Sequence, residues 1–277
     1  MLDEQKYVRL ANPIVPERAV MRHSLLASVL ESVEVNSRMH NRVALYEIGS
    51  VYLMEGNSEL PVEPRRLVIV MTGPREEMSW TGSDETPVNF YDLKGVIDTL
   101  LAGIHIEMVE YTVAQHPSFH PGRCAHVGMS DQKEVFGILG ELHPLVCESY
   151  NLTHQPVMVA DIDLEVLLDA MPQRYSTRRI ARYPTVVEDI SLIVSEEVRA
   201  AQVEDLIRQT GGRQLIAVQL FDIYRGGQVG SHSKSLAYRL TYQSHEKTLT
   251  DEDVATLRHR IVRRLEHEVK AQLREGS

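Results

Sequence analysis

Apolar residues at Leu26, Val29, Leu30 and Val33 repeat at the three- and four-residue spacing of one helix face, after the turn-prone pair Asn12-Pro13. That spacing predicts an amphipathic helix ending near Asn36. A second stripe at Leu93, Val96, Ile97, Leu100 and Leu101 predicts another helix with one apolar face. Short apolar runs lie at 43–48, 67–71, 106–113, 125–129, 135–139 and 157–162. Short strands returning through Gly and Pro turns predict an antiparallel sheet flanked by helices.

The pattern breaks around residues 171–179, which are polar, basic and without apolar periodicity; residues 172–182 therefore read as a linker. Beyond it the order is cleaner. Residues 190–194 form a strand, and Val203, Leu206 and Ile207 mark a helix closed by Gly211-Gly212. Runs at 215–224 and 235–242 are strands joined by a Gly-rich loop at 225–233. Thr250 followed by Asp253 is a capping box, since each side chain can satisfy a free N–H at a helix start. Val254, Leu257, Ile261 and Leu265 supply that helix's buried stripe, and 271–274 predict a last short strand. The expected class is α+β: an antiparallel-sheet module over 1–171, then a ferredoxin-like βαββαβ domain over 183–277. Helices on one face of such a sheet leave the other free to bind, as in RNA-recognition domains.

Composition narrows the class. A 43% hydrophobic fraction over 277 residues supplies two cores rather than one. No run approaches the roughly 18 apolar residues of a membrane span, and residues 1–6 hold no apolar signal segment. Cys124 and Cys147 are too few for a disulfide framework or a four-thiolate zinc site, so reduced thiols of a cytoplasmic protein are expected. A net charge of −10 argues against a nucleic-acid binder, DNA included, but the charge is unevenly placed. Residues 1–171 hold 12 Lys+Arg against 25 Asp+Glu, and residues 172–277 hold 17 against 14. Nucleic-acid contact by the second half alone fits that asymmetry, and so does an ordinary solvated surface.

Candidate chemistry is sparse. His116 and His120 lie four apart, but Pro117 and Pro121 follow them and make a shared helix face improbable, so a structural turn is favoured over a metal site. No Ser, Cys or Thr sits in a recognisable nucleophile elbow, and no catalytic residue is assigned. On the strand containing Phe221-Asp222-Ile223-Tyr224, alternation sends Phe221 and Ile223 to the core and Asp222 and Tyr224 to the open face. From the residues alone, Tyr224 is an exposed strand tyrosine and Asp222 a solvated acid.

The segments 183–190, 220–226, 234–238 and 248–254 resemble, in order and spacing, the ferredoxin-fold anticodon-binding domain that closes the β subunit of phenylalanine–tRNA ligases. Upstream, residues 10–13, 21–26, 90–95, 116–123 and 137–144 resemble the same subunit's class II synthetase-like module. The resemblance covers nearly the whole chain but about the last third of a family β subunit. It implies a shortened chain or, alternatively, a naturally short relative, without the editing domain.

The resemblance implies further expectations. Class II synthetases bind ATP with an Arg-x-Glu pair on a strand, and here the arginine position holds Leu45, ahead of Glu47. Leucine cannot stabilise a transferring phosphate, and the glycines of 137–140 carry no accompanying arginine. The module is therefore expected to be non-catalytic and to bind no cofactor. It would pack on a catalytic α subunit, with the helix over 24–36 as candidate contact, while the assembled enzyme uses ATP and magnesium. In the second domain, Asp222, Tyr224 and Ser235 match family positions around the first anticodon base of tRNA-Phe, with Ser191 on the neighbouring strand. Arg225, Lys234 and Arg239, with Arg178, Arg179 and Arg182, are the expected phosphate contacts. Glu188 stands where the family usually has arginine, which implies one phosphate contact fewer. Two other readings remain: a free-standing adenylate-forming enzyme, which Leu45 opposes, and a scaffold whose second domain contacts protein.

Overall fold

Two sheets organise the chain, and they bury their side chains differently. The computed structural model describes residues 7–56, 60–130, 135–174, 181–227 and 229–274. Contacts divide it into two compact units, residues 1–175 and 176–277.

In the first unit, β1 (Val43–Ser50), β2 (Arg65–Thr72), β3 (Val109–Val113), β4 (Phe119–Met129), β5 (Val135–Leu142) and β6 (Val157–Asp163) form a six-stranded sheet. Its order is β1-β2-β6-β5-β4-β3, and every pairing is antiparallel. Helix α1 (Leu26–Ser37) buries Val29, Leu30 and Val33 in one core, with Val68, Val70, Val157 and Val159. Helix α2 (Phe90–Gly103) buries Leu93, Ile97 and Leu101 in another, with Leu67, Met158, Ala160 and Ile162. Successive residues of β2 and β6 thus enter opposite cores, which is why these strands read as unbroken apolar runs. Short helices α3 (Pro144–Ser149) and α4 (Leu164–Asp169) complete the unit.

Two strand limits move for local reasons. β3 begins at Val109 rather than Ile106, because His105 and Met108 take left-handed φ angles of 60° and 59° that an extended chain cannot hold. β4 reaches back to Phe119, past Pro121, through a register shift between Phe119 and Cys124. A bulge tolerates proline because no ladder hydrogen bond is asked of its nitrogen.

In the second unit, β7 (Val186–Ser195), α5 (Ala200–Gly211), β8 (Leu215–Tyr224), β9 (Ser233–Tyr242), α6 (Asp251–Val269) and β10 (Gln272–Leu273) follow the βαββαβ order. The sheet runs β10-β7-β9-β8. Ile190, Leu192, Val194, Leu236, Tyr238, Leu240 and Tyr242 meet Val203 and Ile207 of α5 and Leu257, Ile261 and Leu265 of α6 in a single core. The Thr250–Asp253 capping box is present: Asp253 N–H donates to Thr250 Oγ1 at 3.2 Å, and Thr250 N–H to Asp253 Oδ2 at 3.1 Å.

Candidate nucleic-acid interface

Strand alternation decides what the second sheet offers on its uncovered face. With Leu236, Tyr238 and Leu240 buried, β9 turns Ser235, Ala237 and Arg239 the other way. Their register partners on β7 are Ile193, Ser191 and Asp189. On β8, Asp222 lies opposite Ala237 and Tyr224 opposite Ser235. Tyr224 is 39% exposed, Asp222 is exposed, and Ser191 is half-buried on the inner strand β7. The hydroxyls of Ser191 and Ser235 lie 3.3 Å apart, and Ser235 itself is buried. Aromatic ring, acid and serine pair therefore share one face.

Alternation fails at Phe221. The expectation that Phe221 and Ile223 enter the core is corrected: they are 50% and 43% exposed. The register slips between Leu220 and Asp222, so two β8 residues oppose one of β9. A bulge of this kind re-aims a side chain. The Phe221 ring lies 5.4 Å from the Arg239 guanidinium carbon, against the same face. Sequence alternation gives no sign of this aromatic, because the bulge exists only in the register of β8 against β9.

The cations divide by environment. Arg239 makes a bidentate pair with Asp189, at 2.9 and 2.8 Å. That guanidinium holds the Asp189 carboxyl below the usual carboxylate range. Arg225 pairs with Glu196 through Nε and Nη2, at 2.9 and 2.7 Å, and depresses the Glu196 carboxyl in the same way. Both arginines are more than half exposed, and exposed pairs of this kind exchange partners at little cost. Lys234 differs: it is buried, and its Nζ donates to the Glu196 carbonyl at 2.8 Å. As a phosphate contact Lys234 is corrected to a brace, since its parity on β9 is that of the core residues. Arg182 is exposed, and Arg178 and Arg179 lie outside the described residues.

Glu188 also changes meaning. It lies opposite Leu240, on the helix-covered parity of β7, and its carboxylate meets Arg258 of α6 at 3.2 Å. The neighbouring Tyr242 hydroxyl is pushed up to about 12 by burial and by Glu188. An arginine at 188 would face α6, so the open face loses no phosphate contact there.

The first unit gives its candidate residues structural partners. Glu47 accepts from Arg22 Nη1 at 2.8 Å, and Arg22 Nε donates to the Ser50 carbonyl. Leu45 packs half-buried against the α1 core. A Cβ at Gly137 would come within 2.7 Å of the Asp161 carbonyl oxygen, and one at Gly140 within 2.4 Å of that of Arg123. Those glycines serve close approach of backbone rather than phosphate. His116 Nδ1 accepts from Ser118 N–H, and His143 Nδ1 from Leu145 N–H at the start of α3. Among the described residues no cluster of three or more His, Cys, Asp or Glu is placed to hold a metal ion. The α1 stripe is already used on its own sheet, whereas Tyr46 and Ile48 on edge strand β1 are 73% and 57% exposed beside Val96 of α2.

Comparison with known proteins adds the following. Residues 1–164 match the model of the phenylalanyl tRNA synthetase beta chain CLM domain, and residues 181–274 that of the ferredoxin-fold anticodon binding domain. The phenylalanine–tRNA ligase beta subunit of Clostridium acetobutylicum is 36% identical over 270 residues, covering 96% of this chain and 32% of the relative. That of Geobacillus kaustophilus is 38% identical over 276 residues, covering 99% and 34%. The chain spans about a third of the length of these curated relatives. A pyrrolysyl tRNA synthetase from Desulfitobacterium hafniense superposes with a TM-score of 0.45 at 17% identity, covering 60% of this chain and 53% of that one, too low a likeness to argue from. No described helix is long and apolar enough to cross a membrane.

Proposed function

The chain belongs to the phenylalanyl-tRNA synthetase β-chain family, and on that premise we infer that its second unit reads the anticodon of tRNA-Phe. The observation that carries this reading is the uncovered sheet face on which Tyr224 and Asp222 stand beside Ser191 and Ser235. Single-stranded RNA is read by stacking unpaired bases on aromatic rings and bonding their edges. The phenylalanine anticodon begins with guanine. Tyr224 stacks on that base, and the Asp222 carboxylate accepts from its N1–H and exocyclic N2–H. Phe221 supplies a second ring for a neighbouring base. Ser191 and Ser235 support the base from below, Ser235 from its buried position. Arg239 and Arg225 exchange their carboxylate partners for phosphate oxygens, which positions the RNA without specifying sequence.

Residues 1–171 act in this reading as a non-catalytic module, joined through 172–182 to the reading domain at 183–277. Leu45 where an arginine would face phosphate, and Glu47 held by Arg22, support that assignment. ATP and magnesium are used by the assembled cytoplasmic enzyme on its α subunit. The groove beside Tyr46 and Ile48 is an apolar surface this module offers to that partner.

Titration of the chain with tRNA-Phe and with a variant altered at the first anticodon base, at fixed salt, tests the reading. Weaker binding of the variant is expected, and equal binding of unrelated tRNAs would overturn it. Co-purification with a cognate α subunit tests the partner assignment separately.

A further inference from the structure

Next to Tyr224 lies a residue whose contribution is the side chain it lacks. A Cβ built on Gly226 would sit 2.2 Å from Tyr224 Oη, 2.5 Å from Cζ and 2.9 Å from Cε1. No carbon atom tolerates such distances, so any larger residue must displace the end of the ring. The Tyr224 backbone is fixed in the ladder opposite Ser235, which leaves rotation of the ring as the cheap response. Gly227, the next residue, provides the contrast: a Cβ there would meet nothing within 4 Å. From the far edge of the sheet, the Arg274 guanidinium carbon lies 5.5 Å from the Tyr224 ring centroid, while Arg274 N–H donates to the Ser191 carbonyl at 2.8 Å.

We propose that Gly226 is a positioning residue of the RNA-reading face, because its missing side chain is the space the Tyr224 ring occupies. The ring is then set between Gly226 and Arg274 before RNA arrives, and less rotamer freedom is lost when a base stacks on it. The proposal rests on the reading that Tyr224 stacks on an anticodon base, but its first premise is ring position and can be measured without RNA.

The test uses the full chain and a labelled stem-loop carrying a GAA anticodon, at one salt concentration. Tyr224→Ala is expected to weaken binding roughly 5- to 150-fold, the range of one base–aromatic stack. Gly226→Ala is expected to weaken it about 3- to 30-fold, bounded by the same stack, while Gly227→Ala leaves it unchanged. In a Tyr224→Ala background, Gly226→Ala should add nothing, since both act through one ring. Additive losses, or an equal loss from Gly227→Ala, would overturn the proposal in favour of a general loop effect. The second readout is the carbon-13 ring signal of Tyr224 in the free chain, recognised by its disappearance in Tyr224→Ala. Gly226→Ala should shift that signal and Gly227→Ala should not; an unshifted signal in Gly226→Ala refutes ring positioning outright. If Tyr224→Ala leaves stem-loop affinity unchanged, anticodon reading fails instead, and the ring signal still decides positioning.

Discussion

The two sheets of this chain are both antiparallel, yet one is covered on both faces and the other on one. In the first, neighbouring residues of a strand serve different cores: Ile138 of β5 packs with the α1 cluster, as does Leu142, and Leu139 with the α2 cluster. In the inner strands β2, β5 and β6 both parities are taken up by packing. In the second, Leu240 is buried under α5 and α6 while its neighbour Arg239 faces outward and pairs with Asp189. Half of that sheet's positions are therefore released from the core, and the candidate RNA contacts are among them. On the proposed reading, recognition falls to the second sheet because only an uncovered face has side chains to spare.

The sharpest way to break this comparison is substitution at paired parities. Leu139→Ala and Leu142→Ala should each cost about 2–5 kcal/mol, and so should Leu240→Ala, whereas Arg239→Ala should cost far less than any of these. Urea unfolding measures all four; a costly Arg239→Ala would mean that the second sheet's outer face is structural after all. Tyr224→Ala comes next: about 1–3 kcal/mol lost in RNA affinity, with stability shifted by less than about 0.5 kcal/mol. Isothermal titration and unfolding on one preparation separate the two numbers.

A smaller effect sharpens the picture of α6, whose start is set by the capping box. Hydrogen bonds from Lys247 and Thr250 lower the Asp253 carboxyl from 3.8 to about 2. A carboxylate with its folded value depressed contributes stability that is complete above the unfolded value and lost as pH falls through the folded one. The second unit should lose stability between about pH 4 and pH 2, and Asp253→Asn should flatten that part of a melting-temperature profile. The smallest expected effect tests the parity of β7. Glu188→Arg sets two like charges together beside Arg258 and should cost about 1 kcal/mol, leaving RNA affinity within about twofold and the salt slope unchanged. A gain in affinity would put position 188 on the RNA face.

Several features were legible along the chain because they rest on near neighbours. The apolar stripes of α1, α2 and α6, the βαββαβ order and the Thr250–Asp253 box involve residues within a few positions of each other. Lys234 was legible too, in principle: it is adjacent to Ser235, so parity alone sends the two to opposite faces. The bulge at Phe221 was not, because it exists only in the register of β8 against β9, and a single strand carries no count of its partner's residues. Nor was the space at Gly226, which depends on where a ring two residues away comes to rest.

The elements, their order, the absence of an arginine at Leu45 and the four-segment resemblance follow from the chain alone, since each is a property of local residue type and spacing. Strand pairing and helix coverage decided which face of each strand is covered, that Glu188 is engaged away from the open face, and that Phe221 joins it. Strand pairing and helix coverage bring together residues far apart in the chain, and side-chain period fixes a face only once the register and the covered side are set.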